Sequence, residues 1–327
     1  MAPASLTAPA MPTPWTEADI PDLSGRTAVV TGANSGLGKA TAQALAAKGA
    51  TVVMACRSRQ RADAARDEIR AAAPDADLVV EQLDLSRLAS VQHFAEGFRE
   101  KHDRLDLLYL NAGIMAVPRR ETEDGFEQQF GVNVLGHFAL AGRLLPMLLE
   151  TEGSRTVWLS SLAAWFGTLR FSDFQGEKSY GRWAAYNQSK LADLMLALEM
   201  NARLQAAGAS SMALVAHPGL TNTDLQTTSV EESSGTLEAK AERLFYGLTM
   251  DRLAMSPEEG ACPQLRAGTD PQARGGAFYG PRHQMRGRAV EVNPPKQALS
   301  ASKRARLWRA CEALTGVSFL SETPASA

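Results

Sequence analysis

Two rhythms of hydrophobic and polar positions alternate along the 327-residue chain. Short apolar runs, rich in Val, Leu and Ala, fall at 26–30, 51–55, 78–83, 105–110, 155–160, 211–216 and 277–279. Between them lie longer stretches in which apolar residues recur every three or four positions, at about 37–48, 61–73, 88–101, 123–149, 183–207, 257–267 and 304–315. A short run without alternation suits a strand buried on both faces, and the longer rhythm suits helices that cover it. Strands and helices in turn, joined by short connections, predict an α/β fold: a single domain with a doubly wound parallel sheet of about seven strands and helices on both faces.

The ends of the chain break this pattern. Residues 1–24 are rich in Ala, Pro, Thr and Ser and read as an arm whose second half, 15–23, can pack on the domain. The domain itself is expected over 25–315. Within it, 224–250 reads as a lid, and 282–315 as a C-terminal extension that begins with a basic loop. A frayed tail is expected over 316–327.

Composition narrows the setting. Hydrophobic residues make up 45% and charged residues 21%, which is ordinary for a globular protein with an ample core. A formal charge of −2 without a basic stripe argues against a nucleic-acid partner. Cys56, Cys262 and Cys311 are too few and too scattered for a metal box or a disulfide framework, so no metal is expected and a reducing, cytoplasmic compartment is. No apolar run is read as long enough to span a membrane.

The chemistry-bearing residues fall at the ends of the expected strands. The first strand runs into Thr31-Gly-Ala-Asn-Ser-Gly-Leu-Gly38, where a helix begins. That order forms a phosphate cradle: Gly32 makes the tight turn, Gly36 admits a pyrophosphate to the backbone, and Gly38 lets helix and strand approach. The second strand ends in Cys56-Arg57-Ser58, with no acid before Asp63. An acid there would accept ribose hydroxyls, whereas a base pairs with a 2′-phosphate, so NADP(H) is favoured over NAD(H). Arg59 and Arg61 read as the solvated start of the next helix. Asp84-Leu85 and Asn111-Ala-Gly113 close the third and fourth strands and are candidates to flank the nucleotide.

Further along, Asn133 interrupts an apolar helix, where a side-chain amide that bonds backbone can open the helix and hold water. Ser160-Ser161 ends the fifth strand, and a hydroxyl there can donate to a developing oxyanion. Tyr186 and Lys190 stand four apart on one helix face, where the ammonium favours a phenolate and makes the tyrosine a usable acid or base. The intervening Trp165, Phe166, Phe171, Phe174 and Trp183 either line an apolar pocket or pin a long loop. The sixth strand delivers His217-Pro-Gly-Leu-Thr-Asn-Thr223, which would set Pro218, Gly219, Thr221 and Thr223 at the nicotinamide end. His217 reads as structural, and Arg282, Arg286 and Arg288 as a solvated turn.

Together these motifs resemble the short-chain dehydrogenase/reductase family over about residues 22–315, and within it the retinol-dehydrogenase-like and WW-domain-oxidoreductase-like branch. The resemblance implies that Tyr186 is the acid/base, that Ser161 holds the substrate oxygen, and that Lys190 grips the nicotinamide ribose and favours the phenolate. Asn133 would hold a relay water. Asn34, Ser35 and Leu37 would touch the cofactor through the glycine loop, and Thr223 its carboxamide or phosphates. The expected activity is NADP-dependent hydride transfer between nicotinamide C4 and a fairly bulky apolar carbonyl or alcohol. Epimerisation or double-bond reduction in the same cleft, or a non-catalytic NADP-binding role, are the alternatives. Homodimer formation through the helices at about 134–150 and 184–206 stays open, because a long C-terminal segment can cover that face.

Overall fold

The computed structural model describes residues 15–221 and 254–320; the expected lid and Thr223 lie outside the described residues. Among the described residues eight strands form one sheet: β1 Thr27–Thr31, β2 Thr51–Cys56, β3 Leu78–Gln82, β4 Leu107–Leu110, β5 Arg155–Leu159, β6 Met212–Ala216, β7 Phe278–Pro281 and β8 Ala289–Glu291. Their spatial order is β3-β2-β1-β4-β5-β6-β7-β8, parallel throughout except for the last pair. Ala28 of β1 stands beside Val52 of β2 on one side and Leu107 of β4 on the other. Strand order therefore reverses at β1, and a crevice opens beyond the C-terminal ends of β1 and β4.

Helices cover both faces: α1 Gly36–Ala46, α2 Arg59–Ala72, α3 Leu88–Lys101, α4 Gln128–Glu150, α5 Arg182–Ala206, α6 Pro257–Thr269 and α7 Ala301–Thr315. Because side chains alternate along a strand, Val29 and Leu108 face a core shared with Phe94 of α3, Phe138 of α4 and Leu194 of α5. Val30 and Tyr109 face a second core with Leu45 of α1, Ile69 of α2 and Leu265 of α6. The doubly wound architecture is as the alternating rhythms predict.

Three details differ from the expectation. The sheet has an eighth strand, β8, inside the stretch read as a basic loop. It is three residues long and antiparallel to β7, too short to show a rhythm of its own. Trp15 of the arm bridges to Ala289, so the arm shields this edge strand, while Ile20 and Leu23 are buried. Secondly, α4 is 23 residues long and contains an 18-residue stretch with a mean hydropathy of 1.4, long and apolar enough to cross a membrane. Its apolar side chains, among them Phe130, Phe138, Leu144 and Leu148, fill the core instead.

The third difference is at the C-terminus, where a frayed tail was expected from 316. Gly316, in the left-handed region at φ 67°, ends α7, and the chain turns back onto the body. Phe319 then packs 4.8 Å from Phe138 and 4.6 Å from Trp308, ring centre to ring centre. Trp308 meets Phe138 edge-on at 5.0 Å and carries the Arg203 guanidinium over its face. An apolar contact supplied by α4 and α7, distant in sequence, orders these residues.

Candidate active site

The crevice begins at the glycine turn. Gly32 and Gly36 have φ of 68° and 50°, backbone that other residues rarely adopt. A Cβ on Gly38 would stand 2.3 Å from the Gly32 carbonyl oxygen, so only glycine lets α1 start this close to β1. Ser35 precedes α1 without capping it through its side chain, which leaves the first helical N–H groups directed at the groove. Asn34, Ser35, Leu37, Arg57, Ser58, Asp84, Leu85, Ala112 and Gly113 line that groove together with Gly32, Gly36 and Gly38. Arg61 lines it too, although it was read as solvated helix start; Arg59 faces Asp63 instead. Backbone donors at a helix start with two guanidinium groups nearby suit an anionic dinucleotide.

Asn111 borders the same groove, but its amide donates to the Thr31 carbonyl at 2.8 Å and accepts from Gln264 at 3.2 Å. Its side chain fastens β1, β4 and α6. Asp84 accepts from the backbone N–H and the hydroxyl of Ser86, at 3.0 and 2.6 Å, and so shapes the turn after β3. Ser58 caps α2 by accepting from the Arg61 N–H.

A second cleft shares Leu37, Asn111, Gly113, Ile114, Met115 and Leu159 with the groove and is also lined by Ser160, Ser161, Tyr186 and Lys190. Pro218, Gly219 and Thr221 close its far side. The two serines differ. Ser160 is buried and donates to the Lys190 carbonyl at 2.7 Å, whereas Ser161 accepts from the Ala163 N–H at 3.2 Å and, among the described residues, gives its own proton to no acceptor. Tyr186 is largely buried, with Trp183 edge-on at 6.1 Å. The Lys190 ammonium donates to the Leu159 carbonyl at 2.9 Å and to Asp193 at 3.0 Å. Burial works against its charge, but Asp193 and Tyr186 outweigh burial and hold it above the usual lysine range. Burial raises the Asp193 carboxyl to about 6 despite the pull of Lys190.

Asn133 does not reach this cleft with a free amide. It sits in a π turn, Gly131–Leu135, within α4 and is fully buried. Its side chain accepts from the Ile114 N–H at 2.9 Å and donates to the Ile114 carbonyl at 3.0 Å and to Ser189 at 2.9 Å. Ser189 in turn donates to the Tyr186 carbonyl at 2.8 Å. Asn133 thus ties the chain after β4 to the tyrosine-bearing turn of α5. One helical turn on, the His137 Nδ1–H donates to the Asn133 carbonyl at 2.9 Å, since a carbonyl only accepts. Its Nε2 is then the acceptor for the Thr31 hydroxyl at 3.0 Å, and Thr31 Oγ1 accepts from the N–H groups of Asn111 and Ala112, both at 2.9 Å. Burial, helped by Lys190, lowers the His137 pKa to about 3 and keeps the ring neutral.

Sequence reading had no role for His137, Ser189 or Asp193. Asp193 carried a usable signal, a carboxylate between Ala192 and Leu194 in an otherwise core-facing stripe. His217 is fully buried between Trp165 and Phe278 and accepts from the Gly219 N–H at 3.3 Å, a structural role. The loop aromatics resolve mostly as anchors: Trp165 stacks on Phe278, and Phe174 stacks on Phe130 beside Phe171. Phe166 is 79% exposed and lines neither cavity.

The family model for short chain dehydrogenase matches residues 26–234. Retinol dehydrogenase 14 of Mus musculus is 36% identical over 307 residues, 90% of this chain and 87% of its own length. Retinol dehydrogenase 12 of Mus musculus is 44% identical over 207 residues, 63% of this chain and 65% of its own length, so less than two thirds of that relative is matched. A crystal structure of an uncharacterized protein from Mycobacterium Paratuberculosis superposes with a TM-score of 0.77 at 40% identity, over 94% of this chain and 99% of that one. By its sequence, its sheet order and its glycine turn, the chain belongs to the short chain dehydrogenase family, whose members are NAD(P)-dependent oxidoreductases.

Proposed function

We propose that the protein is an NADP-dependent carbonyl reductase or alcohol dehydrogenase acting on a fairly bulky apolar substrate, with Tyr186 as its acid/base. The observation that carries this reading is the shared wall: Ser161, Tyr186 and Lys190 line a cleft that opens from the glycine-turn groove. Bound NADP(H) would supply or accept the hydride at nicotinamide C4. Arg57 and Arg61 on the groove wall would hold the 2′-phosphate, and the start of α1 the pyrophosphate.

The chain's own groups then handle the proton. Ser161, whose hydroxyl proton is uncommitted among the described residues, orients the substrate oxygen, whereas Ser160 spends its proton on the Lys190 carbonyl. Tyr186 protonates that oxygen during reduction and removes the proton during oxidation. Lys190, on the same cleft wall, would grip the nicotinamide ribose. Asn133, bonded to Ile114 and Ser189, acts by holding α5 against the end of β4. The retinol dehydrogenases among its relatives make a long apolar primary alcohol or aldehyde the first substrate to try.

The test is reduction of all-trans-retinal and a panel of apolar ketones and aldehydes with NADPH. Turnover is expected, and Tyr186→Phe should lower it by about 10²-fold or more, the usual worth of a general acid, while NADPH still binds. Full activity in Tyr186→Phe would overturn the mechanism.

A further inference from the structure

Asp193 is a buried carboxylate for which the proposed reaction has no use. It lies one helical turn beyond Lys190 on α5, and the two side chains are 2% and 6% exposed, with Asp193 Oδ2 3.0 Å from Lys190 Nζ. Its other oxygen, Oδ1, is buried without a hydrogen-bond partner among the described residues. A carboxylate held so incompletely adds little to the fold, since burying it costs solvation that one ion pair only partly offsets. Its position suggests an electrostatic role instead.

The ammonium has three donors. One goes to Leu159 and one to Asp193, and Nζ borders the groove at Gly113, where an added Cβ would stand 3.7 Å from it. Lys190 therefore faces the cleft on one side and a counter-charge on the other. The titratable groups around the pair come from three helices. Tyr186 precedes Lys190 by one turn on α5. His137 of α4 is neutral, held so by burial. Cys311 of α7 acts on the far side, its thiol kept protonated by burial and by Asp193. Neither His137 nor Cys311 compensates the lysine, so among the described residues Asp193 is the group besides Tyr186 itself that offsets the ammonium, and it sets whether Tyr186 sits beside a full positive charge or beside a neutralised pair.

We propose that Asp193 is a positioning residue that fixes the Lys190 ammonium and offsets its charge, so that Tyr186 keeps its proton to higher pH than Lys190 alone would permit. The inference rests on the reading of Tyr186 as the acid/base. A tyrosine that stays protonated across the neutral range is suited to protonate a carbonyl oxygen, the direction of reduction.

Two readouts test it. Phenolate absorbance is titrated in the wild type against Tyr186→Phe, and in Asp193→Asn against the double variant with Tyr186→Phe; each difference isolates one phenol and needs no substrate. The pH profile of NADPH-dependent reduction of all-trans-retinal is measured alongside. Asp193→Asn keeps the acceptor oxygen and removes the charge. It should move the Tyr186 titration and the alkaline limb of the profile to lower pH by about one unit or more, the usual effect of an uncompensated neighbouring charge. Asp193→Ser should do the same, and Asp193→Glu should leave both in place. A purely structural role would lower the melting temperature or kcat without moving either midpoint.

An unmoved titration in folded Asp193→Asn overturns the proposal. So does failure of both neutral variants to fold, which would assign the carboxylate to the fold. Full turnover by Tyr186→Phe would remove the acid/base reading itself, whereas loss of turnover there with an unmoved titration in Asp193→Asn removes only the role of Asp193.

Discussion

At the end of β2 one exposed guanidinium stands where an acid would be expected in a groove built for ribose hydroxyls. Arg57 lines the groove with Arg61, while Arg59, between them in sequence, faces Asp63. A phosphate on the adenosine ribose would meet two positive charges there, and each such charge-assisted contact is worth about 1.5–3 kcal/mol. Arg57→Asp is therefore expected to raise the KM for NADPH by about 10- to 100-fold and to lower that for NADH. Unchanged constants for both cofactors would show that Arg57 does not read the phosphate. The place of Arg57 on the groove was legible in the sequence because it depends only on its position after a strand. Arg61 was not, since a basic residue in the first turn of a helix is usually solvated, and only the path of the groove separates it from Arg59. The His137 link to Thr31 was equally hidden: its partners are 106 residues apart, and neither rhythm nor spacing brings them together.

Among the elements, α7 and the five residues after it show how a segment with weak local signals is ordered by what it meets. Phe319 fills the angle between Phe138 and Trp308, and Gly142 of α4 has no Cβ that would collide with its ring. Phe319→Ala would leave a cavity between α4 and α7 and should cost about 3 kcal/mol of stability, in the range for buried aromatic truncations. Urea unfolding followed by tryptophan fluorescence would measure it, because Trp308 lies in the same cluster. A loss below about 0.5 kcal/mol, the scale of ordinary surface substitutions, would mean that this segment does not hold α7 in place. The seven parallel strands and the glycine turn were readable because their signals are local: short apolar runs, and glycines between a strand and a helix. Strand β8, the closing turn at Gly316 and the π turn at Asn133 were not, because each depends on a partner supplied by another part of the chain.

On the scale of the molecule, two neutral histidines stand on the side of the sheet that carries the site, and they make stability there depend on pH. Burial lowers His137 to about 3 and His217 to about 4. Both would titrate near ~6.5 in an unfolded chain. Above that value neither state binds the protons, and the full stability is present. As pH falls from 6.5 toward 4 the unfolded chain takes up a proton at each histidine that the native state refuses. Stability is therefore lost at about 1.4 kcal/mol per pH unit for each ring. Glu127 and Asp193, raised by burial, work in the opposite sense, so the wild-type curve alone is a sum. A comparison with His217→Asn separates one ring. The Asn oxygen can accept the Gly219 N–H that Nδ1 now accepts, and it binds no proton. Whatever the stability difference between wild type and variant at pH 7, it should change by about 2 kcal/mol in favour of the variant by pH 5, read from urea midpoints at the two values. A constant difference would mean that His217 takes up its proton in the folded state, against its burial between Trp165 and Phe278. Because His217 anchors the turn that carries Gly219 and Thr221, and His137 the turn that carries Asn133, acid should loosen the cleft before it loosens the far ends of the strands.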